Sequence, residues 1–194
     1  MSEPPADDEL EQYLETVTLG ALERRAVEIV EYEPSWADRY AAEAARIHAA
    51  LDGREALLEH IGSTAVLGLA AKPIVDILLV VVDPADEAAY VPALEAAGYE
   101  VRIREPAWFE HRMLRTPARD VHLHVLPAGC PEIERYLLLR DRLRSDASER
   151  ELYTATKRRL AVQTWPTVQH YAEAKSQVVE AIIGRAREAR ADKT

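Results

Sequence analysis

The period of the apolar positions changes along the chain, and the changes divide it into regions. Residues 1–26 are mostly polar and acidic. Only a short amphipathic helix ending near Thr16 is predicted there, within a loosely held arm. Val27–Tyr32 alternates apolar and polar side chains, the pattern of a half-buried strand. Trp36, Tyr40, Ile47 and Leu51 then recur at helical spacing, with Ser35 as the expected cap, Asp38 in the first turn and Gly53 as the stop. Leu57–Ile61 predicts a strand that runs into Gly62, Ser63 and Thr64, and Pro73–Val82 is a near-continuous aliphatic run, as in a strand buried on both faces. Asp83-Pro84 opens a helix predicted to close at Gly98. Three more strands are predicted at Tyr99–Arg104, Phe109–Arg115 and Val121–Leu126. From Pro131 the pattern is helical, with breaks near Ser145–Ala147 and Thr164–Pro166.

These elements predict an α+β (α/β) domain over residues 27–186. It has a sheet core at 27–128, an added C-terminal helical layer at 129–186 and a tail at 187–194.

The polar residues that interrupt the apolar pattern carry the candidate chemistry. Asp76 lies inside an oily strand, which is costly unless the carboxylate meets a cation or a hydrogen-bond donor such as Lys72 or a backbone amide. Gly62 permits a sharp turn and close approach to a ligand, and Ser63 with the amides after it can hold phosphate oxygens. On the strand Val121–Val125, His122 and His124 point to one face. With Asp76 they would suit Zn²⁺, Mn²⁺ or Fe²⁺ better than Mg²⁺; the alternative is a hydrogen-bonded pair or a phosphate contact. His60, just before the turn, is either a general acid/base or a core histidine. His48 and His111 fit no pattern, and His170 reads as a surface residue.

A second interruption is cationic. Arg140 and Arg144 fall in the apolar stripe of Ile133 and Leu137. Lys175 falls in that of Tyr171, Val179 and Ile182, and Lys157 flanks that of Leu152 and Leu160. Such cations are neutralised by Asp76, Asp141 or Glu59, snorkel to water, or meet a ligand's phosphate or carboxylate. In the last case Arg140 and Arg144 form a clamp and Lys175 a point contact. Trp36, Trp108 and Trp165 read as packing residues, with Trp108-Phe109 able to stack a base.

Composition narrows the choice. The chain carries 24 basic and 34 acidic residues, a net charge of −10 that disfavours general nucleic-acid binding. The charge is uneven: residues 1–100 hold 21 acids and 6 bases, and residues 101–194 hold 13 and 18. A groove between the two halves would have one acidic and one basic wall. The single Cys130 excludes an internal disulfide framework. The longest aliphatic run, Ile77–Val82, falls far short of the ~20 residues of a membrane span, and no basic-then-apolar leader is seen, so a cytoplasmic protein is expected.

The stretches His60-Ile61-Gly62-Ser63-Thr64-Ala65-Val66, Gly68-Leu69-Ala70-Ala71-Lys72-Pro73-Ile74 and Asp76-Ile77 together resemble the signature of the GrpB family. The likeness continues in Tyr32-Glu33-Pro34-Ser35-Trp36, His122-Leu123-His124, Arg140–Arg144, Tyr153 with Lys157, and Tyr171 with Lys175. It covers roughly residues 27–186 and departs at Leu67, where such sequences usually carry Pro. That family is placed in the nucleotidyltransferase superfamily, so the resemblance implies a small mixed sheet with flanking helices. It also implies a Gly-Ser turn for phosphate, carboxylates holding paired Mg²⁺, and transfer of a nucleotidyl group. Domains of this type also occur fused to dephospho-CoA kinase.

A second metal carboxylate would be expected at position 78, where the chain has Leu78. The expected site is therefore Asp76 and His60 for catalysis and Asp76, His122 and His124 for a divalent metal (Mg²⁺, Mn²⁺ or Zn²⁺). Gly62, Ser63, Thr64, Lys72, Arg140, Arg144, Lys157 and Lys175 are expected to take a nucleotide or another phosphorylated small molecule. The rival readings are a non-catalytic nucleotide-binding module and a metal-dependent hydrolase using the Asp/His set.

Overall fold

The computed structural model of the protein describes residues 7–52 and 56–191. The helices are α1 (Asp7–Val17), α2 (Ser35–Ala50), α3 (Val91–Ala96), α4 (Pro131–Ser145), α5 (Ala147–Ala161), α6 (Val168–Glu173) and α7 (Ser176–Ala191). The strands are β1 (Leu57–Ile61), β2 (Val75–Val81), β3 (Glu100–Glu105), β4 (His111–Arg115) and β5 (Val121–Pro127), in the order β1-β2-β5-β4-β3. Only β2 and β5 run parallel; every other pair is antiparallel. The parallel pair is possible because α3 and the β3–β4 hairpin carry the chain between them.

Period-two alternation gives the sheet two different faces. Val75, Ile77, Leu79, Leu114, Leu123 and Val125 lie under α2 and α3, packed on Trp36, Ile47 and Leu94. The other face carries Asp76, Leu78, His122 and His124, and the C-terminal helices cover it. Leu78 packs there with Ile61, Leu126 and Cys130 against Ile133 and Leu137 of α4. Both faces are covered, which is why β2 reads as an almost unbroken aliphatic run.

Several expected elements differ. The arm is docked rather than loosely held: Leu14 and Val17 of α1 are buried, Thr18 bridges to Ile103, and the Arg102 guanidinium donates to the carbonyls of Leu19 and Ala21. Val27–Tyr32 is no strand, because only Val30 pairs, with Ala71. Ser35 is the first residue of α2 rather than its cap, its hydroxyl turned to Glu33; Gly53, Pro4 and Pro5 lie outside the described residues. The helix expected from Asp83 to Gly98 is a 3₁₀ turn at Glu87–Ala89 followed by the short α3. Phe109 and Glu110 take φ of 53° and 52°, which ends the turn and delays β4 to His111. A further break before Lys175 separates α6 from α7, and α7 continues through Ala191 into the stretch read as a tail. Among the described residues no helix is long and apolar enough to cross a membrane.

Candidate functional site

The register of three strands assembles the acid and the two imidazoles. Asp76 of β2 lies opposite Ile61 of β1 and His122 of β5, and His124 lies opposite Leu78. Period-two geometry then turns Asp76, His122 and His124 to the same side. His122 Nδ1 is 3.4 Å and His124 Nε2 3.7 Å from Asp76 Oδ1. One ligand atom from each residue falls within 4.8 Å of the others, close enough for the three to share one ion.

Gly62 makes room for this carboxylate. Its φ of 69° and ψ of −170° suit glycine alone, and a Cβ there would stand 2.5 Å from Asp76 Oδ2.

The helical layer closes a cavity of about 380 Å³ over this face, lined by Ser63, Asp76, His122, His124 and three lysines. Lys157 of α5 is only 2% exposed; its ammonium donates to Ser63 Oγ at 3.0 Å and to the Ala70 carbonyl, over the Tyr153 ring. Lys72 and Lys175 stand 5.6 and 4.8 Å from the centre of the Tyr171 ring. Burial, followed by the neighbouring lysine charges, lowers Lys157 to about 6. Burial and Lys175 bring Lys72 down to about 8, and burial brings Lys175 to about 8 against the pull of Asp76. Among the described residues none of the three forms an ion pair. The chain has only four lysines against 20 arginines, and the fourth, Lys193, lies outside the described residues. On the same wall, the fully buried Tyr171 hydroxyl and Gln169 Oε1 have no hydrogen-bond partner among the described residues, an arrangement folded proteins normally avoid unless a ligand or water completes it.

Four expected members are not part of this cavity's chemistry. His60 pairs with Ile77, so it faces the opposite side of the sheet from Asp76. There it stacks on Tyr40 and shares a 3.1 Å hydrogen bond with Thr64, whose hydroxyl donates to the Ile74 carbonyl. Burial lowers the His60 imidazole to about 4, so it is a neutral core histidine and Thr64 a structural hydroxyl.

The Arg140–Arg144 clamp does not form either. Arg140 reaches the cavity wall but is neutralised by Glu59 at 2.6 Å and Asp141 at 2.7 Å. Arg144 caps the Ala65 carbonyl and lies beside His60 in a separate recess. His170, read as a surface residue, is buried with Nδ1 hydrogen-bonded to Thr167.

The structure also brings in residues the sequence pattern passed over. His111 Nε2 lies 3.1 Å from His124 Nδ1, and its own Nδ1 is 2.6 Å from Glu105. Tyr13 of α1 donates to the same carboxylate at 2.7 Å. These contacts cross four elements, and nothing in local spacing announces them. The rarity of lysine in an arginine-rich chain was a further signal for the cationic wall, beside the apolar stripes that Lys157 and Lys175 interrupt.

The chain is similar to known proteins along most of its length. A UPF0157 protein of Halalkalibacterium halodurans is 49% identical over 187 residues, covering 95% of this chain and 94% of that one. A UPF0157 protein of Streptomyces coelicolor is 48% identical over 89% of this chain and 90% of its own. The crystal structure of the conserved protein GrpB from Enterococcus faecalis superposes with a TM-score of 0.74 at 30% identity, over 84% of this chain and 99% of that one. A cytoplasmic RNA terminal U-transferase superposes with a TM-score of 0.50 at 17% identity, over 66% of this chain and 41% of that one, which is a likeness of fold. The fold is thus the mixed sheet with flanking helices found in nucleotidyltransferase-fold proteins. The model of the family described as "GrpB protein" matches residues 26–185, sheet and helical layer together, so the chain belongs to the GrpB family.

Proposed function

We propose that the cavity binds a nucleotide, or another phosphorylated small molecule, together with one divalent metal ion. The observation that carries this reading is the set of three lysines, Lys157 buried and Lys72 and Lys175 half-buried, with no ion pair among the described residues, around the cavity that Asp76 enters. A lysine enclosed without a counter-charge costs several kcal/mol, whether it stays an unpaired ammonium or gives up its proton, and a bound polyanion supplies the missing charge. Ser63 and Lys157 take one end of the phosphate chain and Lys72 and Lys175 the other.

Asp76, His122 and His124 would hold the metal. Two nitrogens and one oxygen fit Zn²⁺, Mn²⁺ or Fe²⁺ better than Mg²⁺, which prefers oxygen donors. When bound, such an ion neutralises developing charge on a phosphoryl oxygen. Leu78 leaves the strand without the second carboxylate of a paired-Mg²⁺ centre, so Asp76, His122 and His124 would hold a single ion and the lysines would have to carry the remaining phosphate charge.

The test is a melting series of the full chain with nucleoside triphosphates, inorganic triphosphate and Mn²⁺. A ligand at 100 times its Kd adds ~2.7 kcal/mol, roughly 5–10 °C for a chain of this size. Lys175→Ala should weaken binding at least ~10-fold. No shift with any phosphate compound at millimolar concentration overturns the reading. The nitrogen-rich donor set also favours hydrolysis of a phosphorylated ligand as a second reading. Pyrophosphate release marks transfer, orthophosphate or monophosphate release marks hydrolysis, and binding without turnover marks a sensing module.

A further inference from the structure

We infer that His111 and Glu105, with Tyr13 behind them, are positioning residues for the metal centre: they fix His124 in the tautomer whose bare Nε2 faces Asp76. The inference rests on the proposed metal site and assigns a role to residues outside it.

The hydrogen atoms can be placed one after another along the chain of contacts. The two oxygens of Glu105 are each engaged: Oε1 accepts from the Tyr13 hydroxyl at 2.7 Å and Oε2 faces His111 Nδ1 at 2.6 Å. A carboxylate only accepts, so His111 Nδ1 carries the hydrogen. If His111 Nε2 held a hydrogen as well, His124 would have to accept at Nδ1 and its own Nε2–H would point at Asp76 from 3.7 Å, too far for a hydrogen bond. His111 Nε2 is then an acceptor, and the hydrogen bond of 3.1 Å to His124 has Nδ1 of His124 as its donor. The near-parallel stack of the two rings, 16° apart, keeps that geometry. One hydrogen is thereby used on each ring, and Nε2 of His124 is left with its lone pair.

That lone pair faces Asp76 Oδ1 at 3.7 Å, beyond hydrogen-bond length. Two acceptors aimed at one point repel unless a cation lies between them. A metal ligand oriented by a carboxylate through its other nitrogen is a general device for fixing the tautomer and raising ligand basicity. In this chain a second imidazole is inserted between carboxylate and ligand. The arrangement also ties the docked arm to the site, because Tyr13 belongs to α1.

Co²⁺, whose visible bands report its ligand geometry, is the probe, titrated into the purified full chain with Zn²⁺ as competitor. The wild-type chain is expected to bind one Co²⁺, and His122→Ala to lose it. His111→Phe removes the acceptor and is expected to weaken Co²⁺ binding roughly 10–100-fold and to move the bands. His111→Gln restores both, since a carboxamide donates to Glu105 through its nitrogen and accepts from His124 through its oxygen; affinity within ~3-fold of wild type is expected. If His111→Phe fails to fold, Glu105→Ala carries the same test, with a smaller loss of affinity and the same displaced bands. Unchanged affinity and bands in folded His111→Phe or Glu105→Ala overturn this inference while leaving the metal site standing. A wild-type chain that binds no Co²⁺, or a His122→Ala variant that still binds it, overturns the metal site and this inference together.

Discussion

Replacing Lys157 with methionine should make the protein more stable at neutral pH while destroying its affinity for phosphate. Burial and the charges of Lys175 and Lys72 lower this ammonium from 10.5 to about 6, whereas the unfolded chain keeps the ordinary value. At pH 7 folding must remove the proton 3.5 units below that value, and at 1.36 kcal/mol per unit this costs ~5 kcal/mol. The lysine returns part of it through the hydrogen bonds to Ser63 and the Ala70 carbonyl, worth ~1 kcal/mol each, with a further ~1 kcal/mol if the carbonyl is left unpaired. The variant should therefore gain ~2 kcal/mol, or roughly 4–8 °C in Tm.

The sign with pH is fixed by the direction of the shift. The folded pKa is depressed, so the unfolded state binds more protons between pH 6 and 10.5, and wild-type stability rises through that window. By pH 9 the cost has fallen to ~2 kcal/mol, and the variant should have lost its advantage. Urea denaturation of both chains at pH 7 and pH 9 measures the difference, in which contributions common to both cancel. A stability gap that stays constant between the two pH values would show an ordinary ammonium and refute the argument. In the wild type, bound phosphate should recharge the lysine, so calorimetry in buffers of different ionisation enthalpy should show proton uptake on binding.

Two further substitutions probe the sheet. Gly62→Ala forces a side chain into a glycine-only conformation and against Asp76 Oδ2 at 2.5 Å; it should cost ~1–3 kcal/mol and weaken Co²⁺ binding, and a normal melt with normal metal affinity would show the turn to be relaxed. His60→Phe should cost ~1 kcal/mol, because the hydrogen bond to Thr64 is lost, yet leave metal and nucleotide affinity within twofold. A loss of binding greater than ~10-fold would place His60 on the ligand side of the sheet, against its register with Ile77.

The strands were legible because both faces of the sheet are covered, and the aliphatic run of β2 and the alternation of β5 follow from that burial. Val27–Tyr32 misled for the complementary reason. Alternation marks one wet and one dry side, and a chain lying flat on a domain shows it without pairing. The arm read as loose because α1 is acidic throughout, and its attachment is made by the two buried side chains Leu14 and Val17 and by Arg102 from β3. For the site, Asp76, Ser63, His122, His124 and the lysines stood out as polar interruptions of apolar patterns. Arg140 interrupted its stripe in the same way, and nothing local distinguished it from Lys157: the partners that neutralise it, Glu59 and Asp141, include one from β1 far back in the chain.

The amino-acid sequence alone determined which residues are costly to bury: an acid in an oily strand, lysines on apolar stripes, and a glycine before a serine. It determined most of the element types too, because periods of 2 and 3.6 are local properties. Which of the costly residues face one another was decided only in three dimensions. Strand register separated Asp76 from His60 by a single residue and an entire sheet. Packing of α5 and of the turn between α6 and α7 against the loop before β2 set three lysines around the cavity, while β3, β4 and the arm placed Glu105, His111 and Tyr13 behind His124. The physical reason is range: burial leaves its trace at every position of the sequence, but charge compensation and hydrogen-bond direction depend on neighbours the chain acquires only when it closes on itself.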